Sequence, residues 1–234
     1  MSRLMIADRL SALDTTAPRP FGYGDAITWG FRSGEWFGQV VLMSLIALIP
    51  FVGSMALAGW ALTAADNLHN GSAIVPPAGF YLRRGARLFV VAYVWGLVAA
   101  ILVYGSFGGA FFLMIHPQVL QGAFFGLFFL TWFALVFGIG IVVHLAFLFI
   151  VPGAAEADAR GAINGINPVH AITDVFRHPK ESFLAALITY LAWIVASLGA
   201  SLCYIGILLS LGYGALIFAG ALYVYERNTQ IGEA

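Results

Sequence analysis

The sequence predicts an all-α integral membrane protein of three helical hairpins with interfacial amphipathic segments. Three observations carry that prediction. Apolar residues make up 61% of the chain and charged residues only 9%, whereas a soluble domain carries about 25% charged residues to cover its surface. The runs 88–115, 119–151 and 182–225 contain no Asp, Glu, Lys or Arg. No basic residue falls in the breaks expected at 116–118 and 203–206. Continuous apolar runs favour helices over the alternating pattern of a membrane barrel. A formal net charge of zero gives no basic field of the kind nucleic acid requires. The lone Cys203 excludes an intrachain disulfide and a thiolate metal cage.

Residues 1–20 mix charge, Ser, Thr and two prolines, with no uninterrupted apolar core, and read as a mobile tail rather than a cleavable signal. The membrane domain is expected over 21–227, followed by a tail at 228–234. Residues 21–36 carry aromatics among Gly, Asp25, Arg32 and Glu35, a mixture suited to the headgroup layer. The first apolar stretch breaks at Pro50 and Gly53 into segments of about 37–49 and 51–65. Proline removes a backbone donor and clashes with the preceding turn, so a helix must kink or end there. Asp66 to Ser72 then make a turn-rich connector, Pro76-Pro77 stop any helix, and Arg83, Arg84 and Arg87 form an interfacial basic cluster.

Segments 88–115 and 119–151 are each long enough, at ~1.5 Å per residue, to cross a core ~30 Å thick. They are separated only by His116-Pro117-Gln118, so they are expected to be antiparallel neighbours. Gly105 and Gly109 precede that turn, Gly122 and Gly126 follow it, and the mirrored spacing points to close helix packing. Residues 153–181 are polar. Asn167-Pro168 starts a short helix there, Pro179 stops it, and Val169, Ile172 and Phe176 recur at roughly helical spacing, as in a helix lying along the interface. The run 182–225 is twice the length of one span and turns near Cys203 to Gly206, giving segments of 182–203 and 206–225. Segments beginning at Ala26 and Ala171 repeat the pattern Ala-Ile-Thr-x-x-Phe-Arg, with a weaker third copy at Phe80 to Arg83. Each copy leads into a helical pair.

The basic residues cluster before the first pair, between the pairs, and at Arg227. The positive-inside tendency therefore places all four basic segments, and both termini, on the cytoplasmic side of a prokaryotic inner membrane. The stretch 37–65 must then leave from and return to one face, as a short or re-entrant hairpin. The rival is one kinked span, giving five spans and an external basic loop.

Tyr23-Gly24-Asp25-Ala26, the Ile49 to Gly53 motif with its Gly-rich continuation, Asn70-Gly71-Ser72 with Pro76-Pro77, Phe176 to Pro179 with Glu181 to Leu187, and Leu202 to Leu209 resemble an uncharacterised prokaryotic membrane-protein family, domain of unknown function four-zero-one-three. The resemblance covers roughly Phe21 to Arg227. It implies the polytopic helical fold and no activity. The chain departs from the usual acidic loop in having Pro76-Pro77-Ala78.

No metalloprotease, nucleophile-elbow, phosphate-loop or Cys/His metal pattern occurs. Glu156 and Asp158 read as a solvated polar face. His144 is the one ionisable group deep in an apolar run. It reads as polar glue bonded to a neighbouring helix, as a transport or proton group, or as an axial ligand for a tetrapyrrole. The expected function is a non-enzymatic structural or accessory subunit of a membrane assembly, in a homo- or hetero-oligomer whose basic segments meet anionic headgroups. A transporter or channel using His144 is the alternative, and a pigment- or haem-binding subunit the second. No other cofactor is expected.

Overall fold

The computed structural model describes residues 21–115, 123–201 and 204–229, and among these every regular element is helical. A short helix α1 (Asp25–Thr28) and a 3-10 turn (Trp29–Arg32) precede α2 (Trp36–Ala47) and α3 (Val52–His69). The long helices α4 (Leu82–Ile115) and α5 (Ala123–Arg160) follow, then the short α6 (Ala162–Ile166) and α7 (Pro168–Arg177). The chain closes with α8 (Pro179–Ser201) and α9 (Tyr204–Thr229). Among the described residues three stretches are long and apolar enough to cross a membrane: Phe129–Arg160, Pro179–Gly199 and Gly206–Thr229, with Trp36–Ala47 a shorter apolar helix.

Pro50 and Gly53 break the chain as their chemistry requires. Phe51 adopts a positive φ of 60°, and α2 and α3 turn so tightly there that a Cβ on Gly53 would lie 2.7 Å from the Ala47 carbonyl carbon. The course along α9 follows from four contacts. The Phe21 carbonyl accepts from Arg227 at 2.6 Å, the Trp29 indole donates to the Leu216 carbonyl at 2.9 Å, and the Ser44 hydroxyl accepts from the Gly212 amide at 2.8 Å. Beyond the break, His69 lies 3.7 Å from Glu226. The stretch 21–69 thus starts and finishes beside the same end of α9. The Gln39 side chain also accepts from the Ala78 amide at 2.7 Å, fastening α2 to the connector behind α3.

The core lies among α2, α3, α5, α8 and α9, around Trp29, Met43, Trp60, Leu62, Leu216 and Tyr225. Both buried tryptophans use their one donor, the Trp60 indole on the Pro76 carbonyl at 2.9 Å, as a buried N–H must. Burial is very uneven. Of the apolar window of each candidate span, 56% is buried in α9 and 39% in α8, but only 6% in α5. The stripe Val90, Tyr93, Leu97 and Ile101 on α4 is exposed, as are Phe133, Phe137, Ile141 and Leu145 on α5.

Of the four glycines with mirrored spacing, Gly105 and Gly126 have open space beside them. A Cβ added at Gly105 or Gly126 meets nothing within 4 Å. Gly122 and the turn at 116–118 lie outside the described residues, and Gly109 sits within α4. The tight approaches are at Gly59 and Gly85 between α3 and α4, Gly199 and Gly206 between α8 and α9, and Gly165 against Ala157 and Gly153. The second apolar run also continues beyond Pro152 to Arg160. Gly153, Ala154, Ala155 and Ala157 are buried there, and this packing of small residues against α6 offsets the cost of a proline inside a helix. Asn167 caps α7 by accepting from the Val169 amide at 3.0 Å with Pro168 in the first turn, while Pro179 opens α8.

Candidate functional site

The charged end of the bundle is held by one arginine. Arg84 is half-buried near the start of α4, and its guanidinium forks in two directions. Its Nε donates to Asp158 Oδ1 at 2.9 Å and one Nη to Asp66 Oδ1 at 3.0 Å, with a shorter second contact to each carboxylate. Three helices, α3, α4 and α5, are pinned by one planar fork, a geometry that a lysine point charge cannot reproduce. Glu226 of α9 lies within electrostatic reach of Arg84, Asp158 and Asp66 and 3.7 Å from His69. The cluster therefore sets three carboxylates against one guanidinium and one imidazole. Arg83 and Arg87 point away and are exposed, so the predicted basic cluster divides into one structural and two surface residues.

A second polar group lies under α7. Glu156 is not solvated, as its neighbourhood in sequence suggested. It is 2% exposed and accepts from Arg160 at 3.0 and 3.1 Å. Asp174, Ser182 and Tyr225 are buried from α7, α8 and α9. Ser182 acts directly on the Tyr225 phenol, and Asp174, Glu156 and Tyr23 act on it through space. Tyr23, in the segment before α1, donates to the Glu181 carbonyl at 3.2 Å. Its burial, and secondarily the Glu181 carboxylate, push its phenol up to about 12. Burial raises the Tyr81 phenol in the same direction.

His144 occupies a different place. Its side chain is exposed on α5, its Nδ1 lies 2.7 Å from the Gly140 carbonyl of its own helix, and the Tyr190 ring is 5.8 Å away. It lines a shallow groove between α5 and α8 with Phe137, Phe147, Phe183 and Tyr190, and none of the described residues lining that groove is charged. Its bond partner is thus a backbone carbonyl, as polar glue would have, but on the same helix rather than a neighbouring one. Among the described residues no group of three His, Cys, Asp or Glu side chains is placed to hold a metal ion.

Sequence reasoning passed over Asp66 and Glu226, which follow apolar stretches without a pattern of their own, and misread Asp158 with Glu156 as a solvated face. The signal was the run Gly153-Ala-Ala-Glu-Ala-Asp-Ala, whose small residues read as a packed helix and not a loop. The model of a family described as a protein of unknown function, DUF4013, matches residues 42–205. No curated protein and no solved structure matches the chain.

Proposed function

Since the chain belongs to the DUF4013 family, whose function is unknown, we propose that it is a non-enzymatic, multi-pass membrane protein working as a structural or accessory subunit of an inner-membrane assembly. The observation that carries this reading is the 6% burial of the α5 apolar window beside the 56% of α9. One half of the molecule has a packed core, and the other presents long aromatic and aliphatic faces. Lipid covers such faces, and so do other subunits, whose interfaces favour Phe, Tyr and Trp. In this reading α2–α3, α4–α5 and α8–α9 are three hairpins. The return of His69 to the Glu226 end of α9 supports the first of them. Both termini and the four basic segments then face the cytoplasm. α7 lies in the interface, its Val169, Ile172 and Phe176 exposed to lipid while Arg177 and Lys180 meet anionic headgroups, at roughly 1 kcal/mol per basic residue near the surface.

Native mass spectrometry from lipid nanodiscs tests the reading. A homo-oligomer or a co-purifying subunit is expected. A lone 25.1 kDa species at every concentration would refute it.

Transport is the second reading, and the Arg84, Asp66, Asp158, Glu226 and His69 network favours it more than His144 does. Intramembrane ionisable groups that line a path sit inside the bundle, whereas His144 is exposed in a groove where, among the described residues, no charged side chain accompanies it. For a haem-type tetrapyrrole the fit at His144 is poor, because no basic side chain lines the groove to meet a propionate.

A further inference from the structure

One carboxylate at the charged end of the bundle faces a titratable partner rather than an arginine. Arg84 is shared between Asp158 at 2.9 Å and Asp66 at 3.0 Å. Arg227 donates to the Phe21 carbonyl at 2.6 Å and lies over the Tyr223 ring, 5.4 Å from its centroid. Glu226, with a side chain only 16% exposed, has one ion-pair partner among the described residues, His69 Nε2 at 3.7 Å. The Tyr223 ring packs edge-on against that imidazole at 4.7 Å, on the α9 side. The other ring nitrogen decides the chemistry. His69 Nδ1 lies 3.1 Å from the Ala65 carbonyl of its own helix, and a carbonyl can only accept. Nδ1 therefore carries a hydrogen, which leaves Nε2 of the neutral imidazole as a bare lone pair. An ionised Glu226 also only accepts. Two acceptors facing each other in a partly dry place repel, whereas one proton on either of them makes the contact attractive.

We propose that His69 and Glu226 together hold one proton, forming a proton-binding site that joins α3 to α9 and opens when the proton leaves. The surrounding charges favour its retention. Asp66 of α3 and Asp158 of α5 add negative charge at Glu226, and Arg84 of α4, the cation that acts on it, already serves both aspartates. Glu181 of α8 and Asp174 of α7 act on the Tyr23 and Tyr225 phenols instead. The pair titrates as a unit, so the proton belongs to both groups. In the unfolded chain the two separate, and the histidine releases its proton near the ordinary ~6.5. Above that pH the folded chain binds more protons than the unfolded one, so stability falls as pH rises. The link is complete between about pH 5 and 6, where both states hold the proton. The site rests on neither the subunit nor the transport reading, since all its groups belong to one chain.

The test is reversible unfolding of the full chain in mixed micelles from pH 6 to 9 at one ionic strength. Loss of the shared proton is expected to raise the unfolding constant roughly two- to fivefold, the range of a partly exposed ion pair. His69→Gln and Glu226→Gln are each expected to remove that part of the pH dependence. The double variant should remove no more than either single one, because the two groups share one proton. An unmodified chain whose unfolding constant is level over this range overturns the site. So does a pH dependence that survives in either variant, since a proton held by one group alone is not shared. A measurement on the unmodified chain needs no variant to fold. Nitrogen NMR of the labelled histidines should show Nδ1 of His69 carrying a hydrogen at pH 6, and a bare Nδ1 there would overturn the assignment.

Discussion

Gly59 and Gly85 bring the backbones of α3 and α4 together. A Cβ on Gly85 would lie 2.6 Å from the Gly59 nitrogen, and one on Gly59 3.0 Å from the Gly85 nitrogen. Neither neighbour is a side chain that can rotate away. Gly85→Ala is therefore expected to destabilise the chain by about 1–3 kcal/mol, the usual cost of overpacking. Gly105→Ala, which enters open space, should be neutral or stabilising by up to ~1 kcal/mol through helix propensity. Reversible unfolding in mixed micelles measures both, and the opposite ranking would sink the contact.

Arg84 offers a sharper comparison. Arg84→Gln leaves Asp66 and Asp158 without their partner and should cost about 2 kcal/mol. That is less than the ~3–5 kcal/mol of a fully buried pair, because the site is partly wet. Arg84→Lys keeps the charge but loses the fork, and should recover less than half of the loss. Full recovery by lysine would show that charge alone matters. A double-mutant cycle with Asp158→Asn isolates the pair.

His144 bonds within its own helix, so His144→Leu should change stability by less than the ~0.6 kcal/mol average of interhelical bonds in lipid. His144→Gln should be closer still to the parent. A much larger loss would place a partner on another subunit. An absorption spectrum of the purified protein checks the tetrapyrrole alternative, because a visible band that His144→Leu removes would establish it.

Tyr23 makes a pH prediction. Its phenol is raised from 10.0 to about 12 in the folded chain. Between those values the unfolded chain has lost a proton that the folded chain keeps, so stability falls as pH rises through that window. Its contribution is complete below pH 10.0 and is lost as pH approaches about 12. Tyr23→Phe should flatten that slope. An unchanged alkaline unfolding curve would show that the phenol titrates freely.

Much of the helical layout was legible in the sequence, because apolar length and the backbone chemistry of proline act locally. The break at Pro50 and the Asn167 cap follow from such local rules, and Cys203, where a turn was expected, lies outside the described residues. The Arg84 fork was not legible. Its partners stand 18 and 74 positions away, and neither acid carries a local pattern that names a distant arginine. Glycine spacing did not point to the close approaches seen between the described helices, for a related reason. A GxxxG pair states that a close approach is allowed, not which backbone arrives, and the approaches went to Gly59 with Gly85 and Gly199 with Gly206. Glu156 was misread because charge density suggested a loop, while the alanines around it were packing.

The bonds joining the first aromatic segment to α9 have a consequence for biosynthesis. Phe21 meets Arg227 across 206 positions, and Trp29 meets Leu216 across 187. At ~5–20 residues per second, a ribosome takes roughly 10–40 s to make the intervening chain. Throughout that interval the Trp29 indole lacks its native acceptor, and the half-core of α2 and α3 stands without the helix it packs on. In the membrane reading proposed above, the early helices would enter the bilayer before their contacts with α9 exist, and α9 would complete this core. A truncation that removes α9 should leave an inserted but protease-sensitive chain, with Trp29 and Trp60 emitting at longer wavelength than in the finished protein.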